Sequence, residues 1–122
     1  MRRSEFEDLI AEALDQLPDQ FQKALHNIEI RVRWRPSPEE LAEAGVHPGG
    51  DLFGLYVGVP LTQRGQGYNL VLPDVIYIYQ SAHERYCRTD AEVVEQARKT
   101  LLHEIGHYFG IDEDRMHDLG MG

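Results

Sequence analysis

The sequence predicts a single α+β domain over residues 1–122, and three observations support this fold class. A chain of 122 residues with 42% hydrophobic residues can form one modest core but not two. Apolar residues recur with helical spacing near both ends, in residues 4–17 and again in residues 90–109. Between these segments, alternating and β-branched residues indicate strands. We therefore expect helices and a small sheet that share one core.

The first helix is predicted over residues 4–17. Ser4 and Glu7 have capping-box spacing, which predicts where the helix begins, and Pro18 predicts where it stops. The apolar residues that recur at spacings of three and four are Phe6, Leu9, Ile10, Ala13, Leu14 and Leu17.

Three strands are predicted in the middle of the chain. In NIEIRVRW (residues 27–34), Ile28, Ile30, Val32 and Trp34 alternate with charged residues, which indicates a strand with one buried face. A loop follows over residues 35–51, with one helical turn at PEELAEAG. Two further strands are expected in LFGLYVGVPL (residues 52–61) and DVIYIYQ (residues 74–80), joined by a polar, glycine-rich loop, TQRGQGYN, that we predict to be mobile.

Charge and composition argue against several classes of partner and location. The formal net charge of −9 disfavours nucleic acid and anionic membrane surfaces. The arginines of RVRWR alternate with apolar residues, as on the solvated face of a strand. We find neither a signal-peptide pattern nor an apolar stretch near the ~20 residues of a membrane span, and the single cysteine, Cys87, cannot form an internal disulfide. We therefore expect a soluble cytoplasmic protein.

The last helix is expected to begin near Thr89 or Asp90, where TDAE combines a capping side chain with acidic residues in the first turn. It should run to about Phe109. At about 100° per residue, His103 and His107 project opposite to its apolar sector. That sector contains Val94, Ala97, Leu101, Ile105, Tyr108 and Phe109.

Histidines at positions i and i+4 of one helix can place two ring nitrogens at about 2.0 to 2.1 Å from one zinc ion. His103 and His107 have this spacing in TLLHEIGHYFG. Glu104 projects beside the expected metal position, where its carboxylate can accept a proton from zinc-bound water. The pattern predicts a Zn²⁺ cofactor, with Glu104 as general base in metal-assisted hydrolysis.

A catalytic zinc site needs a third protein ligand, and the acidic tail is the place to look for it. Gly110 is predicted to be the helix C-cap, because glycine accepts the left-handed conformation that reverses the chain. His117 is a further candidate, although it lies ten residues after His107 and would require a longer turn. The residues themselves leave several acidic candidates open: Asp112, Glu113, Asp114 and Asp118.

The segment HEIGHYFGIDE matches H-E-x-x-H-x-x-G-x-x-(H/D/E) and therefore resembles the zincin metallopeptidases of the metzincin-like and Asp-zincin-like kind. Over nearly its whole length the chain resembles a small bacterial family with a metalloprotease-like domain. The resemblance implies a compact zincin-like fold, with a small mixed sheet packed against the active-site helix. It also implies that His103, His107 and Glu113 are zinc ligands and that Glu104 is catalytic. Two features depart from the family: the third-ligand position holds glutamate instead of histidine or aspartate, and only Met116 and Met121 follow it where metzincins carry a methionine turn.

Three functions are compatible with these residues. The first is a zinc-dependent peptidase that binds an extended peptide or protein substrate beside a sheet edge, along LFGLYVGV. The second is a non-catalytic zinc-binding interaction module with a vestigial peptidase site. The third is a hydrolase of a small amide in a closed pocket. An open fourth coordination position favours an enzyme, whereas a fourth protein ligand favours the module.

The other candidate residues receive structural interpretations. Cys87 is interpreted as inert. Tyr77 and Tyr79, in the last predicted strand, and Tyr86, which follows it, are interpreted as packing residues. Three further histidines lie in predicted loops or turns, and we interpret them as surface residues: His26, His47 and His83.

Overall fold

A three-stranded mixed sheet forms the centre of the computed structural model, which describes residues 1–64 and 74–120. The strands are β1 (Ile28–Arg33), β2 (Gly54–Val57) and β3 (Asp74–Tyr79), in the order β1-β3-β2. Strand β1 pairs parallel to β3, and β2 pairs antiparallel to it. The short strand β2 therefore lies at an edge, where one row of its backbone groups is not paired within the sheet.

Six helices surround this sheet in the described ranges: α1 (Arg3–Asp15), α2 (Asp19–Ala24), α3 (Pro38–Glu43), α4 (Gln80–Tyr86), α5 (Asp90–Phe109) and α6 (Glu113–Asp118). Single 3₁₀ turns occupy Leu25–Asn27 and Leu61–Gln63. Helix α5 is the longest, and it contacts α1 as well as strands β2 and β3. Its central position makes it the element on which the rest of the core packs.

The core lies between α1, α5 and the sheet. Burial of large apolar side chains from all three elements removes them from water and is the main stabilising term of the fold. The fully buried members include Phe6, Ala13, Ile76, Ile78, Ala97, Leu101, Ile105 and Met116. These residues form one connected cluster, so the predicted fold class, a compact single α+β domain with a small mixed sheet, is confirmed.

Helix α5 has the predicted limits. The Thr89 side chain accepts a hydrogen bond from the Glu92 amide at 3.1 Å, and the Glu92 carboxylate accepts one from the Thr89 amide at 3.0 Å. This reciprocal capping box satisfies two amides that the first turn leaves unpaired. Its C-cap is Gly110, with φ of 80° in the left-handed region, as predicted.

Two expectations about local structure are wrong. Ser4 and Glu7 do not form a capping box, because α1 begins at Arg3 and places Ser4 inside the helix, after an N-cap residue without a side-chain cap. Trp34 is 52% exposed instead of buried. The alternating pattern of NIEIRVRW includes Trp34, but strand β1 ends at Arg33. Trp34 therefore lies beyond the strand, where its side chain does not pack into the core.

The predicted loop TQRGQGYN lies mostly outside the described residues, and Met121 lies outside them as well. None of the helices within the two described ranges has the length and apolarity that crossing a membrane requires.

Candidate metal centre

His103 and His107 lie on the outer face of the last turns of α5. Their Nε2 atoms are 3.1 Å apart, and the two ring centroids are separated by 4.8 Å. The side chains are 27% and 38% exposed, while the opposite face of the helix is buried in the core. The amphipathic pattern of α5 thus presents both imidazoles together at the surface, as predicted from their spacing.

The chain reverses direction at Gly110. Its amide bonds to the carbonyl of His107 at 2.9 Å, and its positive φ favours glycine. A Cβ atom at this position would clash with the side chain of Thr62, which would have to shift. Glycine is therefore favoured at position 110 chiefly by the left-handed conformation of the turn.

Helix α6 follows the turn and returns the acidic segment to the histidines. Asp112 is its N-cap, with a carboxylate that accepts a hydrogen bond from the Arg115 amide at 2.8 Å. The next residue, Glu113, has its Oε1 atom 3.0 Å from Nε2 of His107 and 3.2 Å from Nε2 of His103. Asp114 and His117 are exposed on the same helix. Of the candidate third ligands, Glu113 is the one that the structure brings against both imidazoles.

The three donor atoms fit a zinc ion. Tetrahedral coordination at about 2.0 to 2.1 Å places neighbouring ligand atoms about 3.3 Å apart. The observed separations of 3.0, 3.1 and 3.2 Å form a nearly equilateral triangle close to that size. Imidazole nitrogens and carboxylate oxygens are also the donor types that zinc prefers. The site therefore matches zinc both in dimensions and in the chemistry of its donors.

Glu104 lies beside this triangle and is buried, with only 7% of the residue exposed. The ligand-type atoms of His103, Glu104 and His107 all lie within 4.8 Å of one another. Burial raises the pKa of the Glu104 carboxyl above its ordinary value, against the opposing effects of the two imidazoles. Glu104 is therefore a buried carboxyl group close to both imidazoles of the candidate centre.

A backbone amide of β2 holds the Glu104 carboxylate in place. The Tyr56 amide donates a hydrogen bond to Oε1 of Glu104 at 2.8 Å. Because this amide bonds to Glu104 instead of to β3, it faces the open edge of the sheet. The proposed base and the edge strand are consequently neighbours, although 48 residues separate them in the chain.

A part-buried ion pair lies beside the side chain of Tyr56. Arg64 donates a hydrogen bond to the carboxylate of Asp74, which is 3% exposed, and another to the Val59 carbonyl at 2.8 Å. The Arg64 guanidinium also lies 5.6 Å from the centre of the Tyr108 ring, and the Tyr56 ring meets that same ring edge-on at 6.1 Å. Burial, followed by the nearby charge of Asp74, raises the pKa of the Tyr56 hydroxyl.

Tyr56, Arg64 and Asp74 were not predicted from the sequence as contributors to the site. The Tyr56 amide binds Glu104, which lies 48 residues away, and a backbone amide carries no residue-specific signal. The one weak signal is Asp74, a charged residue at the start of an otherwise apolar strand, because a buried carboxylate requires a partner.

His83 contradicts the expectation of a surface position, because it is fully buried in α4. Its Nδ1 lies 2.8 Å from the Tyr79 carbonyl, and its ring packs edge-on between Phe6 and Phe53 at 5.2 and 5.1 Å. Burial lowers the pKa of this imidazole. The expectation is wrong because the helix of residues 80–86 was not predicted, so the inward direction of His83 could not be inferred.

The tyrosines, the cysteine and the methionine considered in the sequence analysis lie outside the candidate centre. Tyr79 is buried, Tyr77 packs under the guanidinium of Arg33 at 4.2 Å, and Tyr86 meets the Phe53 ring at 5.7 Å. Burial raises the pKa of the Cys87 thiol, which keeps it protonated and agrees with an inert role. Met116 is fully buried inside α6 and belongs to the main core cluster.

Comparison with known proteins adds a family assignment. A model of a family described as zincin-like metallopeptidase matches residues 25–122, a span that includes β1, β2, β3 and the whole candidate centre. None of the curated proteins compared with the chain matches it.

Proposed function

The chain belongs to the zincin-like metallopeptidase family, and from that premise we propose that it is a zinc-dependent metallopeptidase. In this proposal His103, His107 and Glu113 hold the ion, and Glu104 is the general base. The observation that carries it is the convergence of three donor atoms at 3.0 to 3.2 Å beside a buried carboxylate.

The chemistry expected of zinc in such a site is Lewis acidity, which polarises a carbonyl group and lowers the pKa of water to about 7. Glu104 accepts a proton from the attacking water as the water oxygen bonds to the carbonyl carbon of the substrate. The same carboxyl group then delivers that proton to the departing nitrogen as the carbon–nitrogen bond breaks. The Tyr56 amide keeps one carboxylate oxygen of Glu104 fixed, so that the other is available for the proton.

The substrate that fits this arrangement is an extended peptide. Strand β2 lies at the edge of the sheet, and its Tyr56 amide lies beside Glu104. A peptide that adds to this edge as a further strand would gain backbone hydrogen bonds and would hold one of its carbonyl groups next to the base. A closed pocket for a small amide would not use this strand edge.

The experiment combines zinc analysis with a cleavage assay on a broad peptide library. We expect about one zinc per chain in the wild type and hydrolysis that stops when a chelator removes the metal. Glu104→Gln should retain zinc and the fold but abolish cleavage, because an amide has the shape of a carboxylate and cannot accept the proton.

Glu95→Gln is the matched control, since Glu95 is an exposed residue of the same helix whose side chain pairs with Arg98. It should leave both zinc content and cleavage unchanged. A protein that binds zinc through these ligands but cleaves no peptide would favour the alternative, a non-catalytic zinc-binding interaction module.

A further inference from the structure

A cavity of about 370 Å³ adjoins the candidate centre on the side of His103 and Glu104. One wall is formed by Leu52, Phe53 and Gly54, at the start of the edge strand. The other wall comes from the preceding turns of α5 and contributes polar groups: Gln96, Lys99 and Thr100. The cavity therefore lies where a substrate group beside the cleaved bond would be placed.

Packing fixes the inner part of this cavity. A Cβ atom on Gly54 would lie 2.6 Å from Cγ2 of Thr100, so only glycine lets the strand approach the helix this closely. Thr100 is buried, and its hydroxyl donates to the Gln96 carbonyl at 2.9 Å while accepting from the Gln96 side-chain amide at 3.2 Å. These contacts hold the polar wall in a defined conformation, so that the cavity exists before a ligand arrives.

Lys99 contributes a positive charge to the lining of this cavity, and it lies one helical turn before His103. Its nearest acidic neighbour in sequence along that face, Glu95, is bound by Arg98 at 2.6 and 3.0 Å. In residues 1–64 and 74–120, the Lys99 ammonium forms no hydrogen bond or ion pair. This cation is therefore available to a ligand in the cavity.

The balance of charge favours an anionic ligand here. In the zinc-loaded site, the two negative charges of Glu104 and Glu113 would balance the two positive charges of the ion. The positive charge of Lys99 would then remain unbalanced. Elsewhere the chain, with a net charge of −9, repels carboxylates. An acidic ligand is consequently attracted to the Lys99 ammonium in this cavity.

We propose that this cavity is a substrate subsite for a carboxylate group, which the Lys99 ammonium binds while the apolar stem of the group packs against Leu52 and Phe53. The proposal rests on the proposed peptidase function. The carboxylate has two possible sources in a peptide: an aspartate or glutamate side chain, or the C-terminal carboxylate.

The test compares peptides that differ only in this group. From library peptides that the wild type cleaves, pairs are made with Glu or Gln at each position beside the cleaved bond, and each peptide is made with a free and an amidated C-terminus. We expect kcat/KM to be about 3- to 5-fold higher for the carboxylate member of one pair, as for a partly exposed ion pair. The pair that shows the preference identifies the source of the carboxylate.

Substitution of Lys99 then assigns the preference to this cavity. Lys99→Gln should remove it, Lys99→Glu should invert it and Lys99→Arg should retain it. Lys23→Gln is the matched control, because Lys23 is the other lysine of the chain, exposed on α2 and outside the residues that line the cavity. Equal rates for every pair in the wild type, or a preference that persists in Lys99→Gln, would overturn the proposal.

A binding measurement separates this proposal from the proposed function. Zinc-loaded Glu104→Gln is titrated with two fluorescent peptide pools that differ by Glu-to-Gln replacement, in the Lys99 and Lys99→Gln backgrounds. If the acidic pool binds more tightly than the other pool, and only when Lys99 is present, the subsite is supported even if the wild type cleaves nothing. Equal binding of both pools refutes the subsite even if cleavage is observed.

Discussion

His83 and the pair His103 and His107 carry the same imidazole group in opposite environments. His83 is fully buried between two phenylalanine rings, and its Nδ1 is committed to the Tyr79 carbonyl. The paired histidines are partly exposed, and their Nε2 atoms converge with a glutamate oxygen. The difference shows that the surroundings of the ring nitrogens, more than the residue type, decide whether a histidine packs in the core or lies in a candidate metal centre.

Substitution of a paired histidine should have the largest effect. We expect His103→Ala to weaken zinc binding by at least about 100-fold, because two remaining ligands make an incomplete coordination shell. His117→Ala is the control, since His117 is exposed on α6. Competition with a chromophoric chelator measures both affinities, and retention of full affinity in His103→Ala would exclude this residue as a ligand.

The buried histidine should show the opposite pattern. His83→Ala removes a fully buried ring and its hydrogen bond, and should lower the free energy of unfolding by roughly 2 to 4 kcal/mol. Zinc affinity of the folded protein should stay unchanged. Urea unfolding measures the loss, with exposed His47→Ala as a control that should change stability by less than about 0.5 kcal/mol. A stable His83→Ala protein that fails to bind zinc would show that the two regions are not separate.

Substitutions of the acidic residues at the start of α6 should have smaller effects on zinc binding, and these effects should differ from residue to residue. Glu113→Ala should weaken zinc binding by roughly 10-fold or more, and Glu113→His should retain the metal. Asp114→Ala, the neighbouring control, should change zinc affinity little. Asp112→Ala should cost about 1 kcal/mol of helix stability through loss of the α6 cap. A large loss of affinity in Asp114→Ala with none in Glu113→Ala would mean that the third ligand is misassigned.

The smallest expected effect is on pH dependence. Burial lowers the pKa of His83 in the folded state below the value of 6.5 that it has when unfolded, although Tyr79 and Asp51 oppose the shift. As pH falls below about 6.5, the unfolded chain therefore binds a proton that the folded chain resists, and stability decreases. Above that pH, His83 does not contribute to the pH dependence of stability.

Urea unfolding at pH 7.5 and pH 5.5, with a chelator present, tests this expectation. Wild type should lose more stability between the two pH values than His83→Ala does, because the variant lacks the titrating group. Equal losses in the two proteins would show that His83 does not contribute to the pH dependence.

Sequence patterns predicted much of the fold because they act over short distances. The limits of α5 followed from a capping box, a 3.6-residue period and a glycine C-cap, all within 22 residues. The errors at Ser4 and Trp34 have a related origin. Each pattern was present, but the N-cap of α1 lies two residues before Ser4, and β1 ends one residue before Trp34.

The sequence by itself determined which residues meet at the candidate metal centre, because His103, His107 and Glu113 are separated by a single helical turn and one reversal at Gly110. Tertiary structure alone decided the surroundings of that centre. The Tyr56 amide beside Glu104, the packing of His83 between Phe6 and Phe53, and the cavity beside Lys99 all join residues from distant segments. Such contacts depend on how the sheet packs against α5, and local periodicity and capping carry no information about that packing.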